Sequence, residues 1–343
     1  MGLKSAIFTI RTPLRPLKKE EINGVDIFRF DSIVSLMRQL IKASPELVHG
    51  HSFGWIPATF APLWVRRYVF TPHIYRLDIY PGWKVKPVLL PLKKSNAIIT
   101  RTNFEAYQFK GIMNDSRIHV IPIPIDYDFF AQTKKEWKTQ ICNKYGLKST
   151  DKLVLSVANL RPAKNLKTLI KGFAIIKAKI PSTKLIIVGG DAVSNLGLFS
   201  PTKPRLRHSQ ELTELASRLG IKEDVIFAGY QNAEELRKFY AASEVFCMPS
   251  KVEGQLLAAG EAASAGLPLV LSNLETLVEI YQGCALFHEP MDYKSLAINV
   301  INILEDSNLA KKLGSEGRAK MQKYRPISIH TKLRELYENL LSQ

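Results

Sequence analysis

The sequence predicts an α/β protein made of two doubly wound, Rossmann-like domains with a cleft between them. Three observations predict it. The chain has 343 residues, enough for about two domains. Its apolar runs are short, apolar throughout and separated by helical patterns, as in parallel sheets covered on both faces. The rhythm runs through both halves, which meet at a proline-rich segment, VIPIPID, at 120–126.

In the first half, KSAIFTI (4–10), VDIFRF (25–30), ELVHGHS (46–52), YVFTPH (68–73), NAIIT (96–100) and IHVIPIP (118–124) read as strands. SIVSLMRQLIKA (32–43), PATFAPLWVRR (57–67) and NFEAYQFKGIM (103–113) read as helices. Pro122 and Pro124 favour extended backbone, and the polar stretch AQTKKEWKTQ that follows suggests a linker near 125–140. In the second half the strands are KLVLSVAN (152–159), KLIIVGG (184–190), DVIFAGY (224–230), EVFCMPS (244–250), LPLVLSN (267–273) and CALFHEP (284–290). Helical patterns separate them: 165–180, 211–220, 233–243, a stretch beginning near Gly254, and 275–283. An amphipathic helix, ISIHTKLRELYENLLS, follows Pro326. The expected division is 1–130 for the first domain, 131–322 for the second, and a C-terminal helix at 323–343 packed back on the first. Ligands of such folds bind beyond the carboxyl ends of the strands.

Composition narrows the class. The chain is 46% hydrophobic and 23% charged, as in an ordinary globular protein. No apolar run reaches the roughly 18 residues of a membrane span, and no secretory layout opens the chain. Cys142, Cys247 and Cys284 lack metal or disulfide spacing, so buried thiols in a reducing cytoplasm are expected. The net charge is +17, and residues 1–150 hold 23 Lys and Arg against 11 Asp and Glu. Such a bias fits an anionic partner (a membrane surface, a nucleic acid or a phosphorylated substrate) or solubility alone. No aromatic-rich nucleic-acid motif is present, so no nucleic-acid partner is expected. No G-x-G-x-x-G follows a strand, which argues against a nicotinamide enzyme.

The strongest chemical signal is PSKVEGQLLAAGEAASAGLP (249–268). Glu253 and Glu261 flank a helix start. Were the span helical, their backbones would lie on the order of 12 Å apart along the axis. Carboxylates accept hydrogen bonds from hydroxyls, and a helix start offers N–H groups to phosphate, so the pair suits the two ends of a sugar–diphosphate–ribose ligand. Gly254 permits close backbone approach. By themselves two such glutamates also fit a solvated surface.

This segment resembles the signature of the retaining nucleotide-sugar glycosyltransferases with two Rossmann-like domains, the GT-B fold of glycosyltransferase family 4. The family pattern runs P-S-x-x-E-G-F-G, then E-A-x-A-x-G-x-P-V. Pro249, Ser250, Glu253, Gly254, Glu261, Ala262, Gly266 and Pro268 match it, with Ser264 and Leu269 as mild swaps. The similarity covers most of 120–330 and, more loosely, 25–119. It implies that Glu253 contacts the transferred sugar and Glu261 the ribose. Gln255 and Leu256 stand where the family has Phe-Gly, beside the donor.

SVANLRPAKNLKTLIKGF (156–173) is similar to the family's strand, loop and helix, with Lys164 implied to neutralise the donor diphosphate. Ala158-Asn159 replaces the usual Gly-Arg, and Arg161 is either a substitute cation or a solvated residue. His73, after YVFTPH, is implied to face the reacting sugar. His49 and His51 share one strand face and line the site or pack beside it, and no metal is implied. Gly189, Gly190 and Asp191 form either a plain turn or a wall for donor phosphate or base. Asp126-Tyr127-Asp128 has the D-x-D form of metal-binding GT-A enzymes, but its place in the linker reads as turn chemistry.

The resemblance implies a hexosyltransferase acting with retention on a GDP-, UDP- or ADP-sugar, with no further cofactor. It implies a glycan, lipid-linked or small-molecule acceptor. The basic aromatic stretches WVRRYVF (64–70) and GWKVKPVLLPLKKS (82–95) suggest peripheral contact with the inner face of a membrane. The chain opens on a strand like the family's second, without counterparts to its first strand and Gly-rich loop. A relative that binds nucleotide-sugar or a partner enzyme without catalysis is therefore the alternative.

Overall fold

The computed structural model describes residues 5–10, 18–51, 64–73, 92–191 and 208–343. They form two compact units. The first holds Met1–Ile121 and Lys332–Gln343, the second Pro122–Thr331. Ile125, Tyr127 and Phe130 are buried in the core of the second unit, so the chain enters that unit at 122, ahead of the expected 130/131. The C-terminal helix, Pro326–Ser342, begins in the second unit and ends in the first.

The first unit carries two sheets. In one, β1 (Ala6–Ile10) runs parallel to β3 (Val25–Phe30), which pairs antiparallel with β2 (Lys19–Ile22). β2 was not expected. Its signal is Asn23-Gly24, whose φ values of 52° and 79° suit a two-residue hairpin turn. The helix Ile33–Ala43 starts at a Ser32 cap and buries Leu36 and Leu40. The other sheet is parallel, in the order β4 (Val48–His51), β5 (Tyr68–Thr71), β6 (Ala97–Thr100), β7 (Ile118–Val120). Tyr68, Phe70, Leu92, Ile98 and Phe109 form its core.

Two expected helices change. The one over 57–67 falls partly outside the described residues, and Trp64, Val65, Arg66 and Arg67 form a turn into β5. The one over 103–113 stops at Tyr107.

The second unit is one six-stranded parallel sheet in the order β10-β9-β8-β11-β12-β13. Its strands are β8 (Lys152–Val157), β9 (Thr183–Val188), β10 (Val225–Gly229), β11 (Val245–Met248), β12 (Leu269–Ser272) and β13 (Ala285–His288). Five fall within the apolar runs read from the sequence, and β9 begins one residue ahead of its run, at Thr183. Helix Leu166–Lys179 packs on Tyr293–Glu305, and Leu257–Ser264 on Ser307–Met321. The expected linker over 125–140 is instead a helical turn, Tyr127–Phe130, and the start of helix Glu136–Tyr145. Apolar Trp137, Ile141 and Cys142 lie on its buried face among lysines that hide the pattern. Asp128 in that turn bonds Arg325 at 2.7 Å. All three cysteines are free and buried.

Strand order reverses between β8 and β11. In a doubly wound sheet that switch point is where loops part to make room for a ligand.

Candidate functional site

Two loops leave the switch point. After β8, residues 158–164 end in a 3-10 turn, Pro162–Lys164, and Asn165 adopts a left-handed φ of 54° before helix Leu166–Lys179. Asn165 is held there because its Nδ2 donates to Pro290 O at 2.6 Å and its Oδ1 accepts from Thr168. After β11, residues 249–256 lead to helix Leu257–Ser264. Lys251 N donates to Ala163 O at 2.9 Å and ties the two loops together.

That tie brings Lys164 and Glu253 face to face. Lys164 Nζ lies 2.5 Å from Glu253 Oε1, and Ser250 Oγ donates to the same oxygen at 2.7 Å. Thr276 Oγ1 holds the Glu253 carbonyl at 2.7 Å. Two residues 89 apart in sequence thus form one charged centre. Glu253 precedes its helix, which starts only at Leu257, so the helical spacing to Glu261 is replaced by an extended loop and one turn. The backbone N–H groups of Gly254, Gln255, Leu256 and Leu257 take no partner among the described residues. They supply the anion-binding donors of a helix start.

Glu261 sits on the helix, where its Oε2 accepts from Tyr240 Oη at 2.7 Å. Burial raises its carboxyl above the ordinary 4.5, and the Tyr240 bond opposes that in part. An acid raised by folding stabilises the fold below its unfolded value and loses that contribution as pH rises through the folded one. Ionised Glu261 is therefore a stability cost at neutral pH. We expect Glu261→Gln to raise the thermal midpoint and to weaken nucleoside diphosphate binding roughly 10- to 100-fold. Calorimetry beside a melting curve checks both, and unchanged affinity removes the ribose assignment.

The other expected residues divide. Asn159 and Arg161 are exposed, without side-chain partners among the described residues. Gly189 and Gly190 run beside the β8 loop, with Leu160 N donating to Gly190 O at 2.9 Å. Among the described residues, a Cβ on Gly190 would meet nothing within 4 Å. Asp191 instead binds the start of helix His208–Arg218, accepting from Ser209 N at 3.0 Å. Leu256 turns its side chain into the core at 4% exposure. Gln255 turns inward too: its amide bonds both backbone groups of Ile123 at 2.7 Å. Neither side chain faces outward toward a ligand, because the core and the Ile123 backbone occupy them.

In the first unit, His49, His51 and His73 gather at the carboxyl ends of β4 and β5. His51 Nδ1 lies 3.3 Å from His73 Nε2, and His49 bonds Thr71 Oγ1 at 2.8 Å and Tyr337 Oη at 2.5 Å. His73 has a left-handed φ of 52°, a strained choice for a residue with a Cβ. Burial, then the charges of Arg101 and His51, lower its imidazole to about 4. Burial, with His51 and His73, lowers His49 to about 3. His49 and His73 are therefore neutral at physiological pH, and burial lowers His51 as well. No group of three ligating side chains suited to a metal occurs among the described residues.

A family model for the glycosyl transferases group 1 matches residues 138–320, more than half of the chain. The chain belongs to that family. Its kinship with glycosyltransferase family 4 and its two-domain GT-B fold follow. A curated member, mannosylfructose-phosphate synthase of Agrobacterium fabrum, is 24% identical over 324 residues, 90% of this chain. The chain spans 66% of that relative's length. Among solved glycosyltransferase folds, sucrose-phosphate synthase from Thermosynechococcus elongatus superposes with a TM-score of 0.81 at 20% identity, over 99% of this chain and 89% of that one. Anabaena Alr3699/HepE in complex with UDP-glucose superposes with a TM-score of 0.79 at 16% identity, over 92% and 86%. The family's matched region includes every second-unit residue of the charged centre.

Proposed function

We propose that this glycosyltransferase moves a hexose from a nucleotide diphosphate-sugar to an acceptor with retention of configuration. The observation that carries the reading is the meeting of Lys164 and Glu253 at the switch point, with Glu261 on the next helix. Family membership supports it.

In this reading, the Lys164 ammonium and the free N–H groups at the start of helix Leu257–Ser264 bind the diphosphate. They stabilise the charge that grows on the leaving nucleotide. Glu253 accepts hydrogen bonds from hydroxyls of the transferred sugar, and Glu261 from those of the ribose. Gly190 lets the backbone come close to the donor. His73, neutral, hydrogen-bonds the reacting sugar without adding charge. No side chain is assigned as covalent nucleophile; the acceptor attacks from the leaving-group side, and a donor phosphate oxygen takes its proton.

The test is a panel of GDP-, UDP- and ADP-sugars offered in a calorimeter, then a donor-hydrolysis and transfer assay on each binder. Binding with turnover supports the enzyme; binding without it favours a silent relative. Because His73 titrates near 4, its contribution should be constant from about pH 5 upward. A His73→Gln variant should therefore lower activity by one common factor across that range, whereas a factor changing near pH 6 to 7 would require a charged His73.

For the acceptor we favour a glycan or lipid-linked molecule at an anionic membrane surface. Trp64, 58% exposed, stands beside exposed Arg66 at the entry to β5. The second basic stretch lies mostly outside the described residues. No described helix is long and apolar enough to cross a membrane. Failure to sediment with anionic vesicles at low salt would count against surface contact.

A further inference from the structure

The chain enters the second unit through Pro122, Ile123, Pro124 and Ile125. Two prolines leave this stretch without a regular row of N–H donors, so it cannot pair as an ordinary strand. Ile123 has the one free peptide N–H between them. The Gln255 carboxamide takes that N–H on its Oε1 and donates from Nε2 to the Ile123 carbonyl, both at 2.7 Å. A side-chain amide here replaces a neighbouring strand's peptide group.

A second contact lies two residues along. Ile125 N donates to Tyr324 O at 2.8 Å, and the Ile125 side chain lies on Gly260. A Cβ on Gly260 would stand 2.0 Å from Ile125 Cδ1. The entry segment therefore rests on both the loop after Glu253 and the helix before Glu261. The same loop is held at Glu253 O by Thr276 Oγ1 and at Leu256 O by Tyr281 Oη, at 2.7 and 2.8 Å. Those bonds fix carbonyls at either end. The Gln255 amide, at 6% exposure, fixes the middle.

We propose that Gln255 is a positioning residue: its amide locks the backbone that carries Glu253 and Gly254 onto residues 122–125 and so sets where the Glu253 carboxylate stands. The claim rests on the reading of Glu253 as the group at the transferred sugar. It goes beyond that reading in assigning the entry segment to the framework of the site. Glu261 is placed by its helix and by Tyr240, so the two ends of the donor respond differently.

Gln255→Met keeps the length and removes both hydrogen bonds. We expect transfer to fall roughly 10- to 100-fold through kcat, since small displacements of a positioned group cost that much. Affinity for the bare nucleoside diphosphate should fall by less than transfer, because Glu261 and the loop that carries Lys164 keep contacts of their own. Amide exchange should quicken at Ile123, whose N–H loses its acceptor, with the sheet unaffected. A second route tests the packing contact. Gly260→Ala should lower transfer, and adding Ile125→Val, which lacks Cδ1, should restore it. The proposal is overturned if Gln255→Met transfers sugar like the parent, or if bare nucleotide affinity falls in step with transfer. If the parent turns over no donor, the functional reading fails on its own. The exchange comparison then decides whether Gln255 holds the loop, and unchanged exchange there rejects it.

Discussion

Glu253→Gln should cut sugar transfer about 100-fold while the bare nucleoside diphosphate binds within about twofold of its parent affinity. The substitution keeps the shape of the side chain and removes its charge. Ser250 can still donate to the remaining amide oxygen, and Thr276 still holds the backbone carbonyl. The sugar hydroxyls, however, exchange a charged acceptor for a neutral one, and a loss of about 2.7 kcal/mol in the transition state corresponds to the stated factor. Lys164 loses its carboxylate partner at the same time and is left free to attract phosphate. Donor affinity therefore has no reason to fall along with rate. Steady-state kinetics with any active donor, beside calorimetry with the nucleoside diphosphate, separates these quantities. Equal losses in both would move Glu253 from the sugar to the nucleotide end.

Gly189→Ala should be the most damaging change to the fold of the second unit. The backbone there has φ of 135°, and an added Cβ would stand 1.9 Å from Ala158 O and 2.7 Å from Ala158 C. These are backbone atoms, so no rotamer change relieves the clash. The β8 loop must move away from β9, opening the bonds from Ala158 N to Val188 O and from Leu160 N to Gly190 O. A cost of about 3 kcal/mol or more is expected, or a thermal midpoint lower by roughly 10 °C. Gly190→Ala is the control, because its Cβ would meet no atom of the described residues within 4 Å. It should melt like the parent. If the donor passes close to that backbone, it should also bind nucleotide-sugar more weakly. A Gly189→Ala protein as stable as the parent would show that the two loops separate easily.

The second unit was legible because its strands are apolar on both faces and its charged centre falls in two short motifs, 156–173 and 249–268. KLVLSVAN and EVFCMPS mark buried parallel strands whatever their neighbours are. Helix Glu136–Tyr145 was missed because four lysines surround its three buried residues over 134–144, and a short amphipathic face is lost among them. β2 was missed because KEEI carries only one apolar residue, and only the Asn-Gly turn betrays it. The candidate site residues were named by type and place in the motif, which carries no information on orientation. Nothing in Gln255 or Leu256 as letters says that one amide turns to Ile123 and one side chain to the core. That depends on where residues 122–125 run, 130 positions away. The lowered imidazole of His73 likewise follows first from burial and then from Arg101 and His51, which reach it through the order of β4, β5 and β6.

The strand order of the second unit also bears on how the protein matures. β8, β9 and β10 neighbour one another in sequence and in space, as do β11, β12 and β13. Each trio can assemble from nearby chain. Among the described residues their one strand pairing is β8 with β11, through Val154 opposite Val245 and Leu155 opposite Phe246. That seam closes a loop of about 90 residues, so it is the slow, entropically costly step of this topology. Lys164 belongs to one trio and Glu253 to the other. Their ion pair therefore reports the closing of the seam, and the capacity to hold a ligand is acquired last, after most of the sheet already exists. A nascent chain that had emerged only as far as β10 would possess a hydrophobic half-sheet with Lys164 and no carboxylate to meet it.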